Sequence, residues 1–219
     1  MNRSKPQSAE PSGSALFGCE CSGVVRDACR EIGVDAWSCD LKPCERGSIY
    51  HMQCDVMEAV MSRRRWDMIG LHPDCTKMAV SGNRWYGKGT DLHALRLDAI
   101  RWTVALWDEA CSRSDHVYLE NPVSVVFAAL RKRGAVVQYV QPWQFGHGET
   151  KRTGFARHGL PELTPTNVVE GREQRVWKMP PSPTRKTDRS RTFAGIGAAI
   201  ADQWCRKVCE HNAGNDWRA

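Results

Sequence analysis

Residues 16–40 read LFGCECSGVVRDACREIGVDAWSCD. The apolar start, SALFG over 14–18, has the pattern of a short buried strand. SGVVRDACREIG (22–33) reads as a helix that stops at Gly33, and VDAWSCD (34–40) reads as a second strand ending in an acid. Strand, small-residue turn, helix, strand is the opening of a nucleotide-binding βαβ unit. Gly18, Ser22 and Gly23 let the backbone approach a ligand closely. Asp40 lies 17 residues beyond Gly23, at the tip of the next strand, where a carboxylate can hold two ribose hydroxyls. Neither GxGxxG nor GxxxxGK[ST] occurs at this loop, which argues against a dinucleotide fingerprint and a P-loop.

The same alternation continues. A short helix is expected over 57–65 and a strand over 66–72. A long amphipathic helix is expected over 91–111, with Asp91 as N-cap and Leu92, Leu95, Ala99, Trp102 and Leu106 as its core face. A strand (116–120), a helix (124–134) and a strand (135–141) follow. Alternating strands and helices imply a parallel sheet with right-handed crossovers, which binds ligands beyond the carboxyl ends of its strands. Function is therefore expected at Phe17–Gly23, Asp40, Asp55, His72–Cys75 and Glu120–Pro122.

The chain of 219 residues suits one α/β domain with a modest insertion. Residues 1–13 are polar and read as a disordered lead-in without a signal peptide. No apolar run approaches the roughly 18 residues of a membrane span. Ten cysteines without a secretory leader fit a reducing cytoplasm. No CxxC pair is present, so no metal site is expected and most thiols read as small buried residues. The oligomeric state is left open by the sequence, with a monomer compatible with it. The net charge of +6 is compatible with a polyanionic partner. Much of that charge sits late in the chain: over 150–191, ten basic residues face four acids, with aromatic residues interleaved. Such an irregular basic segment suits nucleic-acid contact.

Cys75 stands in LHPDCTKMAVSG (71–82), just past a strand end. Its residue type allows a nucleophile, a metal ligand or a buried filler. Glu120-Asn121-Pro122 alone also reads as a helix start, with Asn121 as cap and Pro122 in the first turn.

Taken in order, these stretches resemble the cytosine-C5 DNA methyltransferases, most closely the short phage and prophage forms found in settings such as restriction-modification. LFGCECSG (16–23) is similar to the family's first motif, with Phe17 followed by a turn one residue longer than usual and Cys21 and Ser22 in place of glycines. CDV (54–56) resembles the next acid motif, DCTKMAVSG (74–82) the nucleophile stretch, LENP (119–122) the Glu-Asn motif, and RTFAGIGAAIADQW (191–204) the last motif. ETKRTGF (149–155) stands where a basic base-contacting motif is expected. Asp74 and Thr76 depart from the family's Pro and Gln, and only about 40–50 residues remain for target recognition.

The resemblance implies a Rossmann-like α/β fold with a seven-stranded, mostly parallel sheet, and S-adenosylmethionine as cofactor. That cofactor would be held by Phe17, Gly18, Ser22, Gly23, Asp40, Asp55, Val56 and Gly195. It implies double-stranded DNA with a flipped cytosine as substrate, contacted by Ser81, Asn121, Lys151 and Arg152. Cys75 takes the nucleophile position and Glu120 the place beneath the ring, protonated or hydrogen-bonding at N3. The implied organisation is a catalytic domain over 14–141, a small target-recognition segment over 142–190, a C-terminal helix over 191–210 and a tail over 211–219. Asp74 would disfavour a Cys75 thiolate unless it points away or pairs with Lys77 or Arg84. Other readings stay open: an amino methyltransferase acting on cytosine N4 or adenine N6, an RNA or nucleotide methyltransferase, and a non-catalytic DNA-binding relative.

Overall fold

The computed structural model describes residues 13–213. The lead-in expected over 1–13 lies outside them except for Gly13, as does the tail from 214 onward. Seven strands form one sheet: β1 Ser14–Gly18, β2 Asp35–Asp40, β3 His51–Gln53, β4 Met68–Leu71, β5 Val117–Pro122, β6 Val136–Val140 and β7 Thr153–His158. Their order is β3-β2-β1-β4-β5-β7-β6. β7 runs antiparallel to both neighbours and the remaining pairs are parallel. Strand order reverses at β1, which pairs with β2 on one side and β4 on the other. The crevice beyond the β1 and β4 carboxyl ends is thus the topological switch point, the preferred ligand position in such sheets.

The helices are α1 Val24–Glu31, α2 Val56–Met61, α3 Asn83–Tyr86, α4 His93–Arg113, α5 Val126–Arg131, α6 Arg175–Lys178, α7 Arg185–Ser190, α8 Ala194–Ile200 and α9 Lys207–Ala213. A π-helical turn, Ala201–Arg206, joins α8 to α9. Two apolar clusters sandwich the sheet. One joins β1 and α1 to the C-terminal helices through Phe17, Cys29, Ile196 and Trp204. The other joins β4 and β5 to α2, α4 and α5 through Val60, Ile69, Trp107 and Phe127. Among the described residues no helix is long and apolar enough to cross a membrane.

Three expectations need correction. The stripe Leu92, Leu95, Ala99, Trp102, Leu106 is not the core face of α4. Leu92, Leu95 and Trp102 are exposed, whereas Arg96, Thr103, Val104, Leu106, Trp107 and Ala110 are buried. The helix is turned by roughly a quarter relative to the expected stripe. The turn brings Arg96 inside, where its Nε donates to the Lys77 carbonyl at 2.6 Å and its Nη1 to Asn83 Oδ1 at 2.7 Å. Asp91 is not the cap of this helix: Leu92 precedes it and no side chain caps it. Finally, the stretch 142–190 is not all irregular. It supplies β7, which fills the sheet between β5 and β6.

Candidate active site

The β1–α1 turn is held from three sides. The His72 amide donates to the Gly18 carbonyl at 2.9 Å, fastening β4 to the turn. Cys19 (φ 58°) is the one described non-glycine residue in the left-handed region, and Gly23 (φ 74°) closes the turn. The positive φ favours glycine at 23, and a Cβ there would also press on the Arg26 guanidinium. Arg26 is fully buried beneath the turn, where its Nη1 donates to Ser38 Oγ at 2.7 Å and to Cys44 Sγ at 3.4 Å.

The expected cofactor residues divide by what they touch. Phe17 is fully buried in the core, and the space beside Gly18 is taken by Val56 and Leu71. Phe17, Gly18 and Val56 therefore shape the floor of the crevice by packing. Ser22 is buried and donates through Oγ to Glu20. Asp40 stands at the β2 tip and accepts from the Lys42 amide at 2.9 Å. Asp55 caps α2, with Oδ1 accepting from the Met57 amide at 2.7 Å. Asp40, Asp55 and Asp74 converge on Cys19, whose thiol is raised first by burial and then by Cys39 and these acids. Gly195 packs against the Phe145 carbonyl, where any side chain would clash, and its amide donates to His147 Nε2 at 2.9 Å. α8 returns to α1 where Gly197 meets Val24.

The sequence-predicted catalytic residues meet at the ends of β4 and β5. Glu120 and Asn121 lie in β5, paired with Phe155 and Gly154 of β7, so this stretch is strand and not a helix start. Asn121 is buried, and its Nδ2 donates to the Pro73 carbonyl at 3.1 Å and the Glu120 carbonyl at 2.9 Å. His72 Nδ1 stands 3.7 Å from Glu120 Oε2, and its Nε2 shares a 2.9 Å hydrogen bond with the Tyr118 hydroxyl. Burial pushes the Cys75 thiol up, with Glu120 and Asp74 adding to the rise and Lys151 opposing it. Burial pushes the Lys151 ammonium down, against the pull of Glu120 and Cys75. Lys151 thus shares one electrostatic neighbourhood with both catalytic candidates. Arg152 does not: it stacks 4.3 Å over the Tyr139 ring. Ser81 sits exposed on the turn Val80–Gly82.

No family model matches the sequence, and no curated protein matches it. Solved structures resemble it at low identity. The Entamoeba histolytica methyltransferase EhMeth aligns with 72% of this chain and 57% of its own, at 14% identity and a TM-score of 0.49. The Dnmt2 methyltransferase of S. pombe aligns with 76% of this chain and 55% of its own, at 14% identity and a TM-score of 0.44. The METTL16 MTase domain aligns with 68% of this chain and 74% of its own, at 12% identity and a TM-score of 0.44. The chain spans little more than half the length of the first two. Its sheet has seven strands with the antiparallel β7 inserted between β5 and β6. The chain has a mixed α/β fold built on one seven-stranded, mostly parallel sheet.

Within that fold, several residues escaped the sequence reading. Arg96 ties α4 to the loop after Cys75 through the Lys77 and Ala79 carbonyls. Its signal, a cation between apolar helix positions, is indistinguishable in sequence from a solvated residue. Lys186 of α7 pairs with Asp74 at 2.9 Å, so neither Lys77 nor Arg84 is the partner expected for that acid. Arg191 pairs with Glu45 at 2.8 Å, and the Arg191 carbonyl accepts from Lys151 Nζ at 3.1 Å. The segment 185–191 therefore straps across the carboxyl edge of the sheet. Several basic residues of 150–191 are engaged within the protein. Arg157 is buried and donates to the Leu160 carbonyl at 2.8 Å, while Arg175 pairs with buried Glu149 at 2.8 Å. Glu20, between two cysteines of the β1–α1 turn, is the remaining omission. Its carboxylate is buried, with Oε1 accepting from Ser22 and from the Val24 amide at 3.0 Å. Among the described residues no cluster of three or more His, Cys, Asp or Glu is arranged to hold a metal ion.

Proposed function

We propose that the chain is an S-adenosylmethionine-dependent methyltransferase that methylates carbon 5 of cytosine in double-stranded DNA. The observation that carries this reading is the shared neighbourhood of Cys75, Glu120 and Lys151 at the β4 and β5 ends, beside the switch-point crevice.

The crevice fits the cofactor. Asp40 and Asp55 supply acceptors for hydroxyl and amino groups, and buried Glu20 Oε2 has no partner among the described residues. When bound, S-adenosylmethionine supplies an electrophilic methyl group. Asp40 would take the ribose hydroxyls and Asp55 the adenine amino group. Ser22, Gly23 and Gly195 shape the turn and the helix start around the rest of it.

Cytosine carbon 5 is a poor nucleophile until carbon 6 is attacked. The Cys75 thiolate adds to carbon 6, and Glu120 hydrogen-bonds N3 as the ring gains charge. Carbon 5, now nucleophilic, takes the methyl group that the cofactor would supply, and loss of the carbon-5 proton to a base then expels Cys75 and restores the aromatic ring. Lys151 favours the thiolate. The target must leave the duplex to reach Cys75, so base flipping is part of the reading. Asn121 fixes the Pro73–Cys75 turn relative to Glu120 and so acts as a positioning residue. The part of the chain left for target recognition is chiefly 159–190, since 153–158 belong to the sheet. A recognition segment so short favours a short or lax target site.

The test is incubation of duplex DNA with the protein and methyl-labelled S-adenosylmethionine, followed by nucleoside mass analysis. The reading predicts 5-methylcytosine, abolished by Cys75→Ala. Label on cytosine N4, on adenine N6 or in RNA alone would overturn it.

A further inference from the structure

The β1–α1 turn contains a buried carboxylate that the reading above leaves without a task. Glu20 is 4% exposed and lies between the two left-handed residues of the turn, Cys19 and Gly23. Only Oε1 is used, by Ser22 and by the Val24 amide at 3.0 Å. Oε2 is buried and has no hydrogen-bond partner among the described residues. Its field acts on His72, just past β4, and on the buried Tyr118 of β5.

The basic side chains nearest it, His72 and Arg26, act on Glu20 without a hydrogen bond to Oε2. Arg26 donates to Ser38 at 2.7 Å and pairs with Asp27 at 2.7 Å. His72 shares its Nε2 with Tyr118 at 2.9 Å and turns Nδ1 toward Glu120 at 3.7 Å. A buried carboxylate oxygen in this position asks for a cationic or N–H donor from a ligand.

Resting on the proposed methyltransferase reading, we infer that Glu20 anchors the α-ammonium group of the cofactor's methionine part through its unpartnered Oε2. The cofactor presents two cationic centres and one carboxylate. The carboxylate is repelled by Glu20. The sulfonium must face Cys75 and the base, beyond β4, for the methyl to be transferred. The ammonium is left for the β1–α1 turn, where Glu20 waits. Burial raises the Glu20 carboxyl above its ordinary range despite His72, Ser22, Val24 and Arg26.

A double-mutant cycle tests the pairing by calorimetric binding, without turnover. Wild type and Glu20→Gln are each titrated with S-adenosylhomocysteine, with its des-amino analogue and with 5′-methylthioadenosine. Gln keeps the acceptor for Ser22 and Val24, so the turn is retained. Wild type should bind S-adenosylhomocysteine at least tenfold more tightly than the des-amino analogue. In Glu20→Gln that difference should disappear, with 5′-methylthioadenosine bound as by wild type. Equal affinity of wild type for the first two ligands overturns the inference without use of the variant, and so does a Glu20→Gln protein that still discriminates between them. Equal weakening of all three ligands in the variant would assign Glu20 to holding the turn, which also overturns it. If wild type binds none of the ligands, the methyltransferase reading itself falls, a result distinct from all the others.

Discussion

Asp74 Oδ2 accepts from Lys186 Nζ at 2.9 Å, across 112 residues of sequence. Its other oxygen accepts from the Thr76 amide at 3.0 Å and from the Thr76 hydroxyl. Burial pushes the Asp74 carboxyl up, but Thr76 and Lys186 together hold it below the usual carboxylate range. Asp74 therefore stays charged beside Cys75 and contributes to the rise of that thiol, after burial and Glu120. Asp74→Asn should move the pH midpoint of Cys75 alkylation downward, read by peptide mass mapping with iodoacetamide. Both partners are exposed, at 60% for Asp74 and 70% for Lys186, so Lys186→Ala should cost less than about 1 kcal/mol of stability. An upward shift in Asp74→Asn would contradict this account of the turn.

Lys151 and Arg152 are adjacent in sequence and opposite in placement. Lys151 is the cation that opposes the rise of the Cys75 thiol, whereas Arg152 lies over Tyr139. Lys151→Met should raise the alkylation midpoint of Cys75 and slow its reaction at pH 8. Arg152→Met should leave both unchanged. Equal effects from the two variants would remove Lys151 from the site.

Asn121 is 1% exposed and joins the β5 end to the Pro73 carbonyl. Asn121→Ala leaves buried carbonyls without this donor, at a cost of about 1–3 kcal/mol. The positioning role predicts that Cys75 also becomes easier to alkylate at a fixed pH, because its turn is released from β5. Destabilisation in urea with unchanged Cys75 reactivity would reduce Asn121 to a core residue.

Glu20 makes the stability of the ligand-free protein depend on pH. Its carboxyl titrates higher in the folded than in the unfolded chain, so folding takes up a proton between the two values. The associated stability is fully present below the unfolded value and is lost as pH rises through the folded one. Glu20→Gln removes this loss. The variant and wild type should unfold alike near pH 4, and at pH 8 the variant should be more stable by about 1–3 kcal/mol. Urea unfolding at the two pH values measures the difference, and an equal gap at both would contradict the assignment.

The sheet was legible because each strand is a short apolar run ending at a charged or small residue, as in SALFG and VDAWSCD. The expectation of strand-end positions matches Asp40 at the β2 tip and Cys75 past β4, whereas Glu120 lies within β5. What stayed hidden depends on long-range partners. Arg96 is buried only because the carbonyls of the 77–79 loop stand ready to receive it. β7 was masked by a basic composition, since Arg157 is a charged residue whose guanidinium folds back on the Leu160 carbonyl. Glu20 was hidden by its neighbours, because CECSG reads as a turn of small residues and nothing local says that the acid points inward.

The central claim is covalent attack by Cys75 on a flipped cytosine. It is tested most directly with duplex DNA carrying 5-fluorocytosine, where fluorine cannot leave as the proton does and the adduct is trapped. The account predicts a protein–DNA adduct that requires S-adenosylmethionine and maps by peptide mass analysis to Cys75. Methyl transfer to cytosine without a trapped adduct, or an adduct at another cysteine, would contradict it.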